Sequence, residues 1–447
     1  MSAISLDALA SSVQQGPADP RSNVPPVPQN VKETGLSPSL LEQLILKLLY
    51  FRGELIGQDL AQQIGLKFSV IEAIVEALKW QHLVAVKRSL GMGNISAIFT
   101  LSETGRNAAR DYLNTNQYAA TAPVPLSQYV EMVKRQRQPS NWISTPKLKE
   151  AYKHMVVGPE IISRIGPAVN SGKSFLIYGQ PGNGKTALAE ALGTINSEPV
   201  FVPYAIECQG NIIQIFDPIY HHRVDDQEET VFLSQGPKHD QRFFRAPRPF
   251  ITSGGELTLD MLDLSYNESS KVYEAPFQLK ANNGIYLIDD FGRQRATPAE
   301  VLNRWIVPME RSIDFLSFRT GGKMLIPFEA FLVFSTNLRP EQLGDEAFLR
   351  RIQYKMLVKS PDVGEYKQIF VRFCAGKRLP CDERLIEYLL QKHYIPNGRK
   401  FRRCQPRDII THAIDLINFE KLPWQLTESI LDHSFTSTFV NEGQFDD

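Results

Sequence analysis

The stretch "SFLIYGQPGNGKTALAEAL" constrains this chain more than any other. Residues 179–186, GQPGNGKT, satisfy the pattern G-x-x-x-x-G-K-S/T, with an apolar run before them and a helical pattern after. Glycines let such a loop adopt conformations closed to other residues, so its backbone N–H groups turn inward around phosphates. The helix that follows points its positive end at the same place. In this pattern Gly179, Pro181, Gly182, Asn183 and Gly184 shape the cradle, Lys185 reaches the β- and γ-phosphates, and Thr186 ligates Mg²⁺. The loop needs a buried strand on one side and a helix on the other, which predicts an α/β fold.

Two further stretches end an apolar run in polar residues. "IYLIDD" predicts a central strand that delivers Asp289 to a Mg²⁺ shell and Asp290 to an attacking water. "FEAFLVFSTN" predicts a second buried strand ending in Asn337, whose amide can orient the water or touch the γ-phosphate. The buried strands expected from apolar runs are "FLIYG", "PVFVPYAI", "GIYLID" and "AFLVFSTN", separated by helical segments. That alternation implies a parallel sheet covered on both faces.

The 447 residues are enough for two or three domains. Residues 1–37, rich in Pro, Ser, Gln and Asn, are expected to be a disordered tail. Residues 38–113 read as three helices and a two-stranded ribbon, followed by a further helix, which looks like a winged helix-turn-helix. Ser37 and Pro38 cap its first helix. Its second turn helix carries Glu72 and Glu76, which would repel phosphates, so protein docking is favoured there over DNA. Residues 114–145 read as a linker whose Lys134, Arg135 and Arg137 form a solvated face, 146–358 as the α/β domain, and 359–447 as a small helical domain.

The 49 basic and 49 acidic residues cancel, which gives no global pull toward nucleic acid or an anionic membrane. The four cysteines show no zinc or disulfide spacing. With neither a signal peptide nor an apolar run of membrane-spanning length, the expected location is cytoplasmic. His221 and His222 are expected to be solvated loop residues.

Together the three strand-end motifs and the helical C-terminus resemble an AAA+ ATPase over about two thirds of the chain. The resemblance implies a P-loop NTPase sheet with an α-helical C-terminal lid, ATP with Mg²⁺ as cofactors, and hydrolysis. It implies that Val156 and Val157 contact adenine, that Lys185 and Thr186 stand at Walker A, Asp289 and Asp290 at Walker B, and Asn337 at sensor 1. "LGDEAFLRRIQYKM" is similar to the segment carrying the arginine finger, with Arg351 the better match and Arg350 the second. "RRCQPRDIITHAI" is similar to the sensor 2 helix, with Arg407 as the sensing arginine. An arginine finger serves a neighbour's site, so the resemblance implies a homo-oligomer, expected as a hexameric ring.

"RSIDFLSFRTGGKMLIPF" reads as two short strands about Gly321 and Gly322, similar to the pre-sensor-1 hairpin of several AAA+ clades, and "EAPFQLKANNGIYLIDDFGR" looks like the corresponding region of MoxR-like ATPases. The family commonly has Asp-Glu where this chain has Asp289-Asp290. The shorter carboxylate implies slower hydrolysis. Residues 250–264 are weighed as a substrate contact against plain sheet-covering structure. The expected function is ATP-driven remodelling of a protein partner, with nucleic acid the less favoured partner. A DNA-binding ATPase and a slow nucleotide-dependent switch or scaffold are the alternatives.

Overall fold

The computed structural model describes residues 23–195, 198–224, 237–344 and 346–439. Five parallel strands form its central sheet: β1 (Ser174–Tyr178), β2 (Phe250–Ser253), β3 (Ile285–Ile288), β4 (Phe331–Thr336) and β5 (Tyr354–Leu357). Their spatial order is β2-β3-β4-β1-β5. Near-continuous apolar sequence makes these strands, because helices cover both faces of a parallel sheet. All six residues of β4 are buried.

Alternate residues serve opposite faces. Phe175, Ile177, Leu287 and Val333 pack against Ile165, Ala168, Leu188 and Leu192 from the helices Pro159–Ser171 and Lys185–Gly193. Leu176, Tyr286, Ile288, Leu332 and Phe334 meet Val301, Leu302 and the fully buried Trp305 on the other face. Register then fixes the site. Ile288 pairs with Phe334, and Thr336 pairs with Tyr178. Strands β1, β3 and β4 therefore end close together at their carboxyl ends, where ligands bind in sheets of this kind.

The expected strand "PVFVPYAI" does not join this sheet. Val200–Pro203 pairs antiparallel with Phe243–Ala246, and Ala205–Cys208 belongs to a second sheet with Val124–Pro125, Asn211–Gln214, Ser265–Asn267 and Val272–Glu274. A short apolar run has no period that tells a parallel from an antiparallel strand. The edge beside β3 goes instead to β2, and within residues 250–264 Ile251, Leu257 and Leu262 are fully buried. Those three side chains serve the covering role, while Thr252, Glu256, Asp260 and Met261 of the same stretch are exposed.

The expected linker is partly built into the fold. Its helix Leu126–Arg135 buries Tyr129, Met132 and Val133, and Tyr129 and Val133 lie in the core of the second sheet. Part of the expected tail is ordered as well. Asn30 caps the helix Val31–Thr34, and Thr34 and Leu36 are buried. Residues 1–22 lie outside the described residues. Buried Arg242 pins this region: it pairs with Asp240 at 2.7 Å and donates to the Thr34 carbonyl at 2.8 Å and to Gln128 at 3.0 Å. His221 is buried, not solvated. Its Nδ1 accepts from the Asp217 amide and its Nε2–H donates to the Lys280 carbonyl, both at 3.1 Å, and burial lowers its pKa.

Residues 38–115 form the helices Pro38–Arg52, Gly57–Ile64, Phe68–Trp80 and Glu103–Thr115 around a three-stranded antiparallel sheet. The expected ribbon of Val84–Ser89 and Ala97–Leu101 gains a third strand, Glu54–Ile56. Ser37 accepts from the Leu40 amide, and Gly65 ends the second helix at φ +75°. Among the described residues after 358 every regular element is a helix, with Tyr366, Phe370, Leu389, Ile409 and Leu431 in one core. Among the described residues no helix is long and apolar enough to cross a membrane.

The hairpin Ile313–Ser317 and Lys323–Pro327 turns through Gly321, at φ +88°. Its base is held by Asp314, which is 1 % exposed and accepts from Arg304 at 2.6 Å and from Gln278 at 3.2 Å. Asp314→Ala removes one carboxylate from Arg304, which keeps Asp263 at 3.0 Å, and leaves the buried Gln278 amide one acceptor short, so it is expected to destabilise the fold by about 1–3 kcal/mol. Urea unfolding of the variant beside wild type measures this.

Candidate functional site

The loop 179–184 leaves β1 and enters the helix Lys185–Gly193. Gly179, Gly182 and Gly184 have φ of +151°, +78° and +80°. A side chain is strained at these angles, so glycine is required. Space forbids one as well: a Cβ on Gly179 would lie 2.5 Å from the Val358 carbonyl oxygen, and one on Gly182 would lie 2.6 Å from Cys404 Sγ.

Lys185 is buried, with its ammonium donating to the Gln180 carbonyl at 3.1 Å and to Asn337 Oδ1 at 2.6 Å. Asn337 Nδ2 donates in turn to Asp290 Oδ1 at 2.9 Å. The Thr186 hydroxyl lies 2.9 and 3.1 Å from the two Asp289 carboxylate oxygens. Residues from β1, β3 and β4 thus meet in one polar cluster at the carboxyl end of the sheet. Burial lowers the Lys185 pKa, the Asp290 and Asp289 carboxylates raise it, and the Arg402 guanidinium adds to the fall.

The turn after β3 is braced. The Phe291 amide donates to the Ser335 carbonyl, Thr336 Oγ1 donates to the Phe291 carbonyl, and Gln294 Nε2 donates to the Asp289 carbonyl at 2.8 Å. Asp290 sits at φ +48°, a conformation that aspartate and asparagine adopt far more readily than bulkier residues. Its side chain is exposed, so water reaches it.

Asn183 is fully buried, with Nδ2 donating to Ser360 Oγ at 3.3 Å and Oδ1 unpartnered among the described residues. The donor set suits a triphosphate with Mg²⁺: inward amides, a buried ammonium, a hydroxyl and a carboxylate. Among the described residues no group of three or more His, Cys, Asp or Glu is placed to cage a metal. A cation here would take its remaining ligands from phosphate and water.

The other expected site residues are spread more widely. Val156 and Val157 lie on the half-buried segment 155–158 before the helix Pro159–Ser171. The Val156 carbonyl accepts from Arg403 at 2.9 Å. Arg351 stands at the opposite end of the sheet from the loop: its carbonyl accepts from Ser174 Oγ at 3.3 Å, at the start of β1. Its side chain pairs with Glu310 at 3.0 Å. The exposed Arg350 follows the short helix Glu346–Leu349.

Arg407 is not brought to the loop. Its side chain is 61 % exposed and pairs with the adjacent Asp408. Two arginines that the sequence reading missed hold that position. Arg402 donates to Ser360 Oγ at 2.6 Å, the same hydroxyl that Asn183 uses. Arg403 pairs with Glu365 at 2.7 Å, and the Cys404 amide donates to the Gly182 carbonyl at 2.9 Å. The run "RRCQPR" signals an arginine at this junction, but not which one.

Residues 362–437 match a family model described as a domain of unknown function (DUF8689). No curated protein matches the chain. Among solved structures, the chain is similar to NtrX from Brucella abortus at 13 % identity and a TM-score of 0.37, covering 70 % of this chain and 59 % of that one. The chain therefore spans less than two thirds of NtrX. A Thermotoga maritima RuvB variant gives 12 % identity, 67 % and 73 % coverage, and a TM-score of 0.35. Domain III of the Thermotoga maritima replication initiation protein DnaA gives 13 %, 65 % and 97 %, and 0.36.

Proposed function

We propose that this chain is an AAA+ ATPase that binds ATP with Mg²⁺ at residues 179–186, hydrolyses it in a ring of its own copies, and remodels a protein partner. The observation that carries the reading is the chain Lys185–Asn337–Asp290 beside the pair Thr186–Asp289. Phosphoryl transfer to water needs positioning and charge stabilisation more than covalent chemistry. Lys185 supplies a buried positive charge for the terminal phosphates. Thr186 and Asp289 offer oxygens to Mg²⁺, which when bound neutralises phosphate charge. Asp290 keeps carboxylate oxygen free to orient the attacking water. Asn337 touches both Lys185 and Asp290, so it senses whether a γ-phosphate is present.

Asp290→Asn tests this directly. Asparagine tolerates the same left-handed backbone, so the substitution removes the carboxylate charge and little else. Hydrolysis is expected to fall by about 100-fold or more while ATP binding stays within about twofold. An unchanged single-turnover rate would end the role given to Asp290. An ATP-bound oligomer that scarcely turns over in the wild type would favour the switch or scaffold reading.

The remaining parts of the proposal rest on the sequence resemblance. Arg351 serves a neighbouring copy, with Arg350 the alternative. Arg402, which lies nearer the loop than the expected Arg407, reports the γ-phosphate to the helical lid of residues 359–447. The hairpin at 313–327 is the pre-sensor-1 hairpin of a MoxR-like enzyme.

Residues 38–113 act as a winged helix used for docking. Glu72 and Glu76 both accept from Asn94, so the loop after Val84–Ser89 folds over the helix face that a DNA duplex would need. Trp80 and Met92, 82 % and 97 % exposed, support a protein partner.

A further inference from the structure

Arg403 joins three elements around the loop. Its Nη1 donates to the Val156 carbonyl at 2.9 Å, and its Nη2 pairs with Glu365 Oε2 at 2.7 Å. Its Cδ is the nearest atom, at 4.0 Å, to a Cβ built on Gly184. Glu365 in turn approaches Gly158, with its Oε1 3.6 Å from a Cβ built there. The side chain is 11 % exposed. Its Nε is buried and has no hydrogen-bond partner among the described residues.

Covalent order places Nε between Cδ and the two Nη atoms. The donor therefore lies between the phosphate-loop glycine and the Val156 carbonyl. A buried N–H without a partner is costly, and a guanidinium N–H more so, unless a ligand satisfies it. The loop amides and Lys185 take phosphate. Gly184 is the loop glycine that Arg403 approaches, so a group attached to a phosphate held in the loop can come within reach of the Arg403 side chain. We infer that Arg403 is a nucleotide-binding residue that reads the nucleoside, through an Nε–H bond to an acceptor on its base or ribose. The inference rests on the nucleotide reading above and adds a residue to it. Because the same guanidinium holds Glu365 of the helix Val363–Gly376, nucleoside contact is transmitted to the C-terminal bundle.

The test titrates the full-length chain with ADP and, separately, with inorganic tripolyphosphate, by calorimetry. Thermal unfolding establishes that each variant is folded. Arg403→Ala and Arg403→Lys are both expected to weaken ADP by about tenfold or more and to leave tripolyphosphate within about twofold. Lysine keeps the charge and can still reach Glu365, but it lacks the Nε–H. Glu365→Gln removes the ion pair alone and is expected to hold ADP affinity. Unchanged ADP affinity in Arg403→Ala overturns the assignment. Equal weakening of both ligands, or a Glu365→Gln loss equal to that of Arg403→Ala, also overturns it, since Arg403 would then be only a clamp. A wild type that binds tripolyphosphate and ADP alike removes the nucleoside contact but leaves the phosphate loop. A wild type that binds neither removes the nucleotide reading and this assignment together.

Discussion

Lys185→Ala is expected to lose ATP binding and hydrolysis together, with hydrolysis falling at least about 1,000-fold. The ammonium is buried, and its bonds run from the loop carbonyl of Gln180 to Asn337. Alanine removes the charge that balances the terminal phosphates and frees Asn337 from its fixed orientation. Charge-assisted bonds in a buried site are the strong ones, and a triphosphate would make several to this group. The loop glycines do not depend on the lysine side chain, so the variant should fold. Calorimetric ATP titration beside a phosphate-release assay measures both losses. Retained turnover would mean that the loop is a structural turn.

Arg351→Ala is expected to keep ATP affinity and lose hydrolysis by about 1,000-fold. Arg351 lies near the start of β1, whereas the phosphate loop follows its end. Four residue steps of strand, at about 3.3 Å each, put roughly 13 Å of sheet between them. The arginine cannot serve its own loop across that distance, yet it lies at the surface, where a second copy can meet it. Its pair with Glu310 is partly exposed, and pairs of that kind contribute only about 0–1 kcal/mol.

Mixing decides the matter. Lys185→Ala chains and Arg351→Ala chains, each inactive alone, should regain a measurable fraction of wild-type turnover once mixed. The first supplies the arginine and the second supplies the loop. Mass measurement with and without ATP should show nucleotide-favoured oligomers. Mixed chains that stay inactive, or an Arg351→Ala chain at full rate, would exclude a shared site.

Much of the polar cluster around residues 179–186 is legible because each part is short and local. A glycine loop between strand and helix, two acids ending an apolar run and an amide ending another can each be read from a handful of residues. Their meeting follows from parallel register, which pairs Ile288 with Phe334 and Thr336 with Tyr178. The arginines are harder. "RRCQPR" holds three within six residues, and the angle of the helix Gln405–Glu420 decides which of them faces the loop. Arg407 points to solvent and Asp408, while Arg402 and Arg403, just before the helix, reach Ser360, Val156 and Glu365.

Short edge strands were hidden for a related reason. Strand β2 holds four residues, with prolines just before it and two glycines just after. Its burial comes from parallel pairing with β3, which no local pattern announces. His221 looks like a loop residue in sequence, and only the fold closes the Lys280 carbonyl over it.

The amino-acid sequence by itself determined the glycine loop between strand and helix, the acids at Asp289 and Asp290 ending an apolar strand, the helical C-terminus and the Ser37 cap of the first N-terminal helix. All of these depend on backbone conformations and periodicities set within about ten residues. The tertiary structure decided which strands share a sheet, which histidine is buried, and which arginines stand over the loop. Those outcomes depend on contacts between residues far apart in the chain, where packing geometry outweighs local preference.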